Sequence, residues 1–355
     1  MMIYYCIYAL LLSGVPLSLI NDSKYRRVLQ GSFFLTSMVF LVLVPGLRSE
    51  VVDPDAQNYR DWFQLAVTGS IGIENWLREP ALFFISSIVS GLSMTYTMVQ
   101  VIYALLSLTF YYYFMVLSVS NRWATFYFYL ILCRFYLVQD FAQIRTGVAI
   151  PLMSISIALL CSGKRKQAIA LYLLALTFHW SVLIGLPIVV LLLLGVEFRS
   201  RIWVLFFVPL TGVALVALHV IVGYLSVIER LSRYYADSNA AEGLSALSLH
   251  FFIHFAVVVW ISLSYWERLS LLSRVATVCT SLGMFFFVTF VQLSAVAYRF
   301  EDIFDLFWVL LIIDLLEFSS GVKRIIYIMM LAFAGFGLFY VSLTDLRPYA
   351  TVLFQ

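Results

Sequence analysis

The sequence predicts an all-α fold, a polytopic membrane helical bundle of about 12 transmembrane helices. Three observations carry this reading. Of 355 residues, 63% are hydrophobic and 12% charged, about half the charged share of a soluble domain. Mean hydropathy is +0.98. Apolar runs near the ~20 residues that cross a bilayer recur along the chain, separated by short loops where Lys and Arg collect. No stretch is long and polar enough for a separate soluble domain, so residues 1–355 read as a single integral-membrane domain. The net charge of +3 is too small to argue for nucleic-acid binding. Cys6, Cys133, Cys161 and Cys279 lie singly in apolar runs. They read as packing residues, with no disulfide framework and no zinc site.

Met2–Ile20 reads as the first span, because no charged region precedes it and no small-residue cleavage signature follows. Asp22–Arg27 is a positive turn that should stay cytoplasmic, which puts the N-terminus outside. Leu29–Pro45 returns outward. Residues 46–78 form an outer loop holding Arg48, Asp53, Asp55 and Arg60, with Trp62, Phe63 and Trp76 suited to the membrane interface. Glu79–Gly91 is apolar but short, either a re-entrant half helix or a full span. As a half helix it gives about 12 spans, with every tight Lys/Arg cluster inside. As a full span it flips the later loops and puts Lys164–Lys166 outside, so the half helix is preferred.

Val99–Leu117 spans to the positive Asn121–Trp123 turn. Ala124–Val138 follows as a short apolar helix containing Arg134, then the polar stretch Gln139–Gly147 and an apolar run to Leu160. Lys164-Arg165-Lys166 is the strongest cytoplasmic marker. Ala168–Phe178 leads out to His179, Ser181–Leu194 leads back in, and Ile202–Val222 runs out. Residues 223–248 form a second outer loop. With 46–78 it flanks the expected site cavity. Leu249–Leu263, Val275–Ala295, Phe304–Leu316 and Ile325–Leu343 complete the bundle, with Tyr298–Asp302 outside.

In this topology Arg48, Asp53, Asp55, Glu79, Gln143, Arg145, His179 and Arg299 all stand at outer helix ends. Ionisable residues at membrane helices are costly and mark functional sites by default. Arg145 and Arg299 are permanent cations with forked donors suited to phosphate, or they pair structurally with Asp140 and Asp302. Arg48 is a third such cation, or it snorkels to the interface. His179 is a group able to accept a hydroxyl proton near neutral pH, or a core histidine. Asp53 and Asp55 flank Pro54 and are candidates to bind a cation, activate a hydroxyl or cap the next helix. Glu79-Pro80 reads as a helix start. His250 and His254 share a helix face but have no acid between them, so no metal site is expected.

These residues fall in an ordered pattern: Arg48, then Asp55 and Tyr59; Glu79-Pro80; Gln143-Ile-Arg145-Thr-Gly147-Val-Ala149; Phe178-His179-Trp-Ser181 with Pro187; and Tyr298-Arg299. In this the chain resembles the EpsG family of bacterial membrane proteins, which includes Wzy-type polysaccharide and O-antigen polymerases. Asp53 stands where that family usually has Gly. The resemblance implies a GT-C-like glycosyltransferase in the bacterial cytoplasmic membrane, with its site facing outward. Its donor would be an undecaprenyl-diphosphate-linked oligosaccharide, joined to a second lipid-linked repeat unit. Arg145, Arg299 and Arg48 would hold the departing diphosphate, with Gln143 and Tyr59 assisting. His179, then Asp55, then Glu79 are the candidate bases. No cofactor or metal is implied. Membrane lipid and a chain-length-regulating co-polymerase are the expected partners. The alternatives are a flippase or transporter of the same lipid, or another polyprenyl-phosphate-dependent transferase or ligase.

Overall fold

A computed structural model describes residues 1–52, 55–204, 249–291, 294–344 and 346–352. Among the described residues all of the regular elements are helices, apart from one isolated antiparallel bridge, Arg48 to Thr351. The chain divides into two compact units, residues 1–183 with 319–355, and residues 184–318.

The first unit contains α1 (Met2–Ser13), α2 (Ser23–Gly46), α3 (Ala56–Val67), α4 (Ile73–Arg78), α5 (Pro80–Gly91), α6 (Tyr96–Ser118), α7 (Ala124–Phe135), α8 (Ile144–Cys161), α9 (Arg165–Phe178) and, from the C-terminal part, a long helix over Gly321–Thr344. The Asp22 carboxylate starts α2, accepting the backbone N–H groups of Lys24 and Tyr25 at 2.8 and 3.0 Å. Helices α2 and α6 lie antiparallel. Arg27 shares a cavity of about 170 Å³ with Val116 and Asn121, while Gly46, at the other end of α2, lies against Val101.

Helix α7 runs alongside α2. Thr125 meets Ser18 and Gln30 near the start of α2. Farther along, the Tyr136 hydroxyl donates to the Leu41 carbonyl at 2.8 Å. Every residue of α7 but Arg134 is buried. After Phe135 the helix widens into a π-turn, Tyr136–Asp140, before α8 begins. Helix α8 is the core of this unit, 83% buried. Gly147 brings it close to α6. The Ser107 hydroxyl donates to the Gly147 carbonyl at 2.9 Å, and a Cβ there would stand 3.2 Å from that hydroxyl oxygen. The C-terminal tail crosses the end of α2, pairing Ser49 N–H with the Ala350 carbonyl and Val352 N–H with that of Leu47.

In the second unit α10 (Leu186–Leu193), α11 (Leu249–Ser264), α12 (Leu271–Thr289) and α13 (Ser294–Phe318) are described; the long helix Gly321–Thr344 of the first unit is α14. Ser270 caps α12 by accepting the Ser273 N–H at 3.1 Å. Gly283 of α12 lets Phe304 of α13 approach, with a built Cβ only 3.3 Å away.

The protein is an all-α, multi-pass membrane protein, but the expected count of about 12 spans is corrected. Among the described residues six helices are long and apolar enough to cross: Met2–Leu19, Ser23–Gly46, Tyr96–Ser118, Ile144–Cys161, Leu271–Thr289 and Gly321–Thr344. Among the described residues the count falls for three reasons. The apolar run in α7 is interior packing, which hydropathy alone does not separate from lipid contact. Helices α9, α10 and α11 have 14, 8 and 16 residues, about 21, 12 and 24 Å against a ~30 Å hydrocarbon layer. Helix α13 is long but carries Arg299, Glu301, Asp302, Asp305, Asp314 and Glu317. Half of the 46–78 loop is itself helical, in α3 and α4. Asp53, residues 205–222 of the expected span Ile202–Val222, and the 223–248 loop lie outside the described residues.

Candidate functional site

Two helix starts build the site. Pro80 opens α5 with its ring at the first helical position, where no N–H is needed, and Glu79 stands at the cap. Gln143 occupies the N-cap position of α8, which puts Arg145 in its first turn. Both termini present positive dipole ends and unsatisfied N–H groups, a setting that suits an anion.

The Arg145 and Glu79 side chains form an ion pair through Nη1 and Oε1, with 19% and 5% of their surfaces exposed. The Arg145 guanidinium lies over two rings of α3, 4.9 Å from the centre of Trp62 and 5.3 Å from that of Tyr59. Its Nε also faces the Tyr59 hydroxyl at 3.5 Å. Tyr59 and Trp62 are three residues apart on α3, so one helix face offers both rings. His179, at the end of α9, places Nδ1 3.9 Å from the same Glu79 oxygen. Tyr103 of α6 lies beneath the group. It is buried and in ring contact with Phe178 at 5.8 Å. The Trp180 indole donates to the Leu77 carbonyl at 3.2 Å and so ties α4 to the His179 corner.

The electrostatics centre on Glu79, which stands ahead of α5 and outside the six candidate spans. Burial pushes its carboxyl up to about 6, against the lowering pull of Arg145 and Arg78. The carboxylate caps no backbone N–H of α5; Oε1 faces both Arg145 and His179, and Oε2 is buried without a hydrogen-bond partner among the described residues.

Of the residues expected from sequence, Arg145, Glu79, His179 and Tyr59 come together. Gln143 lies at the edge, where its Oε1 faces the Thr146 hydroxyl at 3.3 Å. Asp55 opens α3 one turn ahead of Tyr59. Arg48 takes a different position. Its guanidinium is buried, donates to the Pro45 and Phe141 carbonyls at 2.5 and 2.6 Å, and lies 5.6 Å from the Phe141 ring centre. It ties the end of α2 to the turn before α8. Arg299 belongs to α13 in the second unit and is exposed. Trp62, read from sequence as an interface residue, is a wall of the site. Its spacing from Tyr59 was the available signal.

In the second unit, His254 Nε2 lies 3.4 Å from Asp305 Oδ1, and its ring stacks on Trp308 at 4.2 Å. Glu301, one turn before Asp305, joins them, all three buried and with donor atoms within 4.8 Å of one another. His254 therefore clusters with two acids from α13. Each of the three makes further interactions within the chain.

Compared with known families, the chain matches the model of the EpsG family over residues 32–351. No curated protein and no solved structure matches it.

Proposed function

Because the chain belongs to the EpsG family, we propose that it is a membrane glycosyltransferase. It polymerises undecaprenyl-diphosphate-linked oligosaccharide repeat units into O-antigen or exopolysaccharide on the outer face of the cytoplasmic membrane. The observation that carries this reading is Arg145, a guanidinium seated on Trp62 and Tyr59 where two helix starts meet, with a buried acid and a histidine beside it.

The chemistry asks for such a group. As the sugar is transferred, its bond to the diphosphate breaks and negative charge develops on the leaving oxygen. A fixed cation in a poorly hydrated site stabilises that charge without reorganising. A proton must leave the acceptor hydroxyl at the same time, and His179 and Glu79 are within reach of one another to receive it. Arg299 and Asp55 remain proposed contributors to diphosphate binding and proton transfer. The short α5 beside the site suits a lateral entry for a polyprenyl tail, since irregular backbone at membrane depth is tolerated where it lines a cavity.

The outward face is supported by charge placement. Arg26, Arg27 and Arg122 gather at one end of α2 and α6, and Lys164–Lys166 follow the far end of α8. Positive clusters stay cytoplasmic. The Arg145 group belongs to the opposite end, where Phe63 of α3 meets Tyr96 at the start of α6.

Arg145→Ala should abolish long glycan chains on a polysaccharide gel while the amount of membrane-inserted protein stays normal. A full chain-length ladder from that variant would remove Arg145 from the reaction.

A further inference from the structure

We propose that Glu79 is a displaceable counter-ion: the donor diphosphate takes Arg145 from it, and the released carboxylate removes the proton from the acceptor hydroxyl. This deepens the reading above and rests on it, because it needs Arg145 to bind diphosphate.

Three features of the geometry point this way. First, a single carboxylate oxygen, Glu79 Oε1, faces both Arg145 Nη1 and His179 Nδ1. The acid stands between the cation and the histidine. Second, Arg145 does not depend on Glu79 for its position. Trp62 and Tyr59 hold the face of the guanidinium, and a ring under the face leaves the in-plane N–H donors directed elsewhere. A diphosphate can therefore replace the carboxylate without unseating the cation, and it brings two negative charges where Glu79 brings one. Third, Glu79 has the position of a helix cap but makes no side-chain cap bond. Its displacement breaks no hydrogen bond that starts α5.

The charged and titratable groups facing Glu79 are Arg145 from α8, His179 from the end of α9, Arg78 before it and Tyr103 from α6, with Tyr59 of α3 reaching it through Arg145. Losing Arg145 to the diphosphate removes a charge that lowers the carboxyl pKa. Glu79 therefore becomes a stronger base only once donor is bound. Donor binding and base activation are one event, so the acceptor is not deprotonated at an empty site.

The step balances. The acceptor O–H proton moves to a Glu79 oxygen as the acceptor oxygen bonds to the donor's anomeric carbon. The anomeric carbon–oxygen bond to the diphosphate breaks, and its electron pair stays with the diphosphate, which gains one negative charge against Arg145. The proton then leaves Glu79 by way of His179 to water. Ionised again, Glu79 competes for Arg145 and helps to expel the prenyl diphosphate.

The test uses purified full-length protein in nanodiscs and a farnesyl diphosphoryl monosaccharide, a diphosphate diester with no ionisation of its own between pH 5 and 8. Glu79→Gln should bind this probe about tenfold more tightly than wild type at pH 7.5. The difference should vanish near pH 5, because wild-type Glu79 is protonated there and no longer competes. In cells the same variant should make no polymer. Glu79→Asp, whose shorter carboxylate draws back from Arg145, should also bind more tightly. It provides the comparison if Glu79→Gln does not fold. Binding at pH 7.5 equal to or weaker than wild type in the folded variant, or normal polymer from Glu79→Gln, would overturn the displacement. Arg145→Ala separates the two claims. If it loses the probe while Glu79→Gln gains nothing, only the displacement fails; if it binds as wild type does, the diphosphate reading fails with it.

Discussion

Two arginines, Arg48 buried and Arg145 partly exposed, show how differently one side chain can be used. Arg145 keeps a ring seat and an acid partner at the site, whereas Arg48 spends its donors on the Pro45 and Phe141 carbonyls. Replacing Arg48 with Met should leave those buried carbonyls without a charged donor and cost about 3 kcal/mol, read as a lower Tm of the purified protein. Trp62→Leu should keep the fold but weaken diphosphate binding by about 3- to 30-fold, the range of a partly desolvated cation–ring contact, with Trp62→Phe recovering most of it. Binding unchanged in Trp62→Leu would show that the indole is not part of the seat. Both arginines were conspicuous in the sequence, because a charge in apolar surroundings is costly wherever it points. What distinguishes them is the partner each meets in space, Phe141 for one and Tyr59 and Trp62 for the other, and no local pattern encodes that. Trp62 carried a weaker signal still, since an aromatic near an interface looks the same whether it faces lipid or a guanidinium.

At the scale of the element, small residues decide which helices touch. Gly335 of α14 lies against Tyr129 of α7, whose hydroxyl donates to the Ala332 carbonyl at 2.6 Å. A Cβ at 335 would stand 2.7 Å from that ring and hydroxyl, whereas a Cβ at Gly337 would meet nothing within 4 Å. Gly335→Ala should therefore destabilise the first unit by about 1–3 kcal/mol, and Gly337→Ala, in the same helix, should be near neutral. Equal thermal shifts for the two would mean that α14 does not pack on Tyr129. The helices themselves were legible as apolar runs: α2, α6 and α8 fall within one to six residues of the expected boundaries. Their environment was not. Ala124–Phe135 is as apolar as a lipid-facing span, yet its neighbours are α1, α2, α6 and α14, so hydropathy overcounts the crossings. The π-turn after it arises where α7 gives way to Gln139 and Asp140, a point the sequence marked only by its polarity.

At the scale of the whole molecule, the end of the first unit that holds Arg145 would fix, for the proposed polymerase, the compartment in which the glycan is assembled. Helix α6 carries the chain to Asn121, near Arg27, and α8 starts at the opposite end. The segment between them, α7 with its π-turn, must therefore return through the interior. That path places Ser70, in the turn after α3, at the Arg145 end, and Lys164 beyond the other end of α8. Both are exposed. With the accessible Cys6 and Cys161 changed to Ser, and buried Cys133 and Cys279 left in place, single cysteines at the two positions report the sides directly. Ser70→Cys should react with a membrane-impermeant maleimide in right-side-out vesicles, and Lys164→Cys only in inside-out vesicles. The Lys/Arg bias is the basis for the orientation expected here, because moving those clusters across the membrane opposes the rule that keeps short positive loops cytoplasmic. The reverse labelling would put the guanidinium where the donor is made rather than where a surface polymer grows, and an outward-facing polymerase would no longer fit.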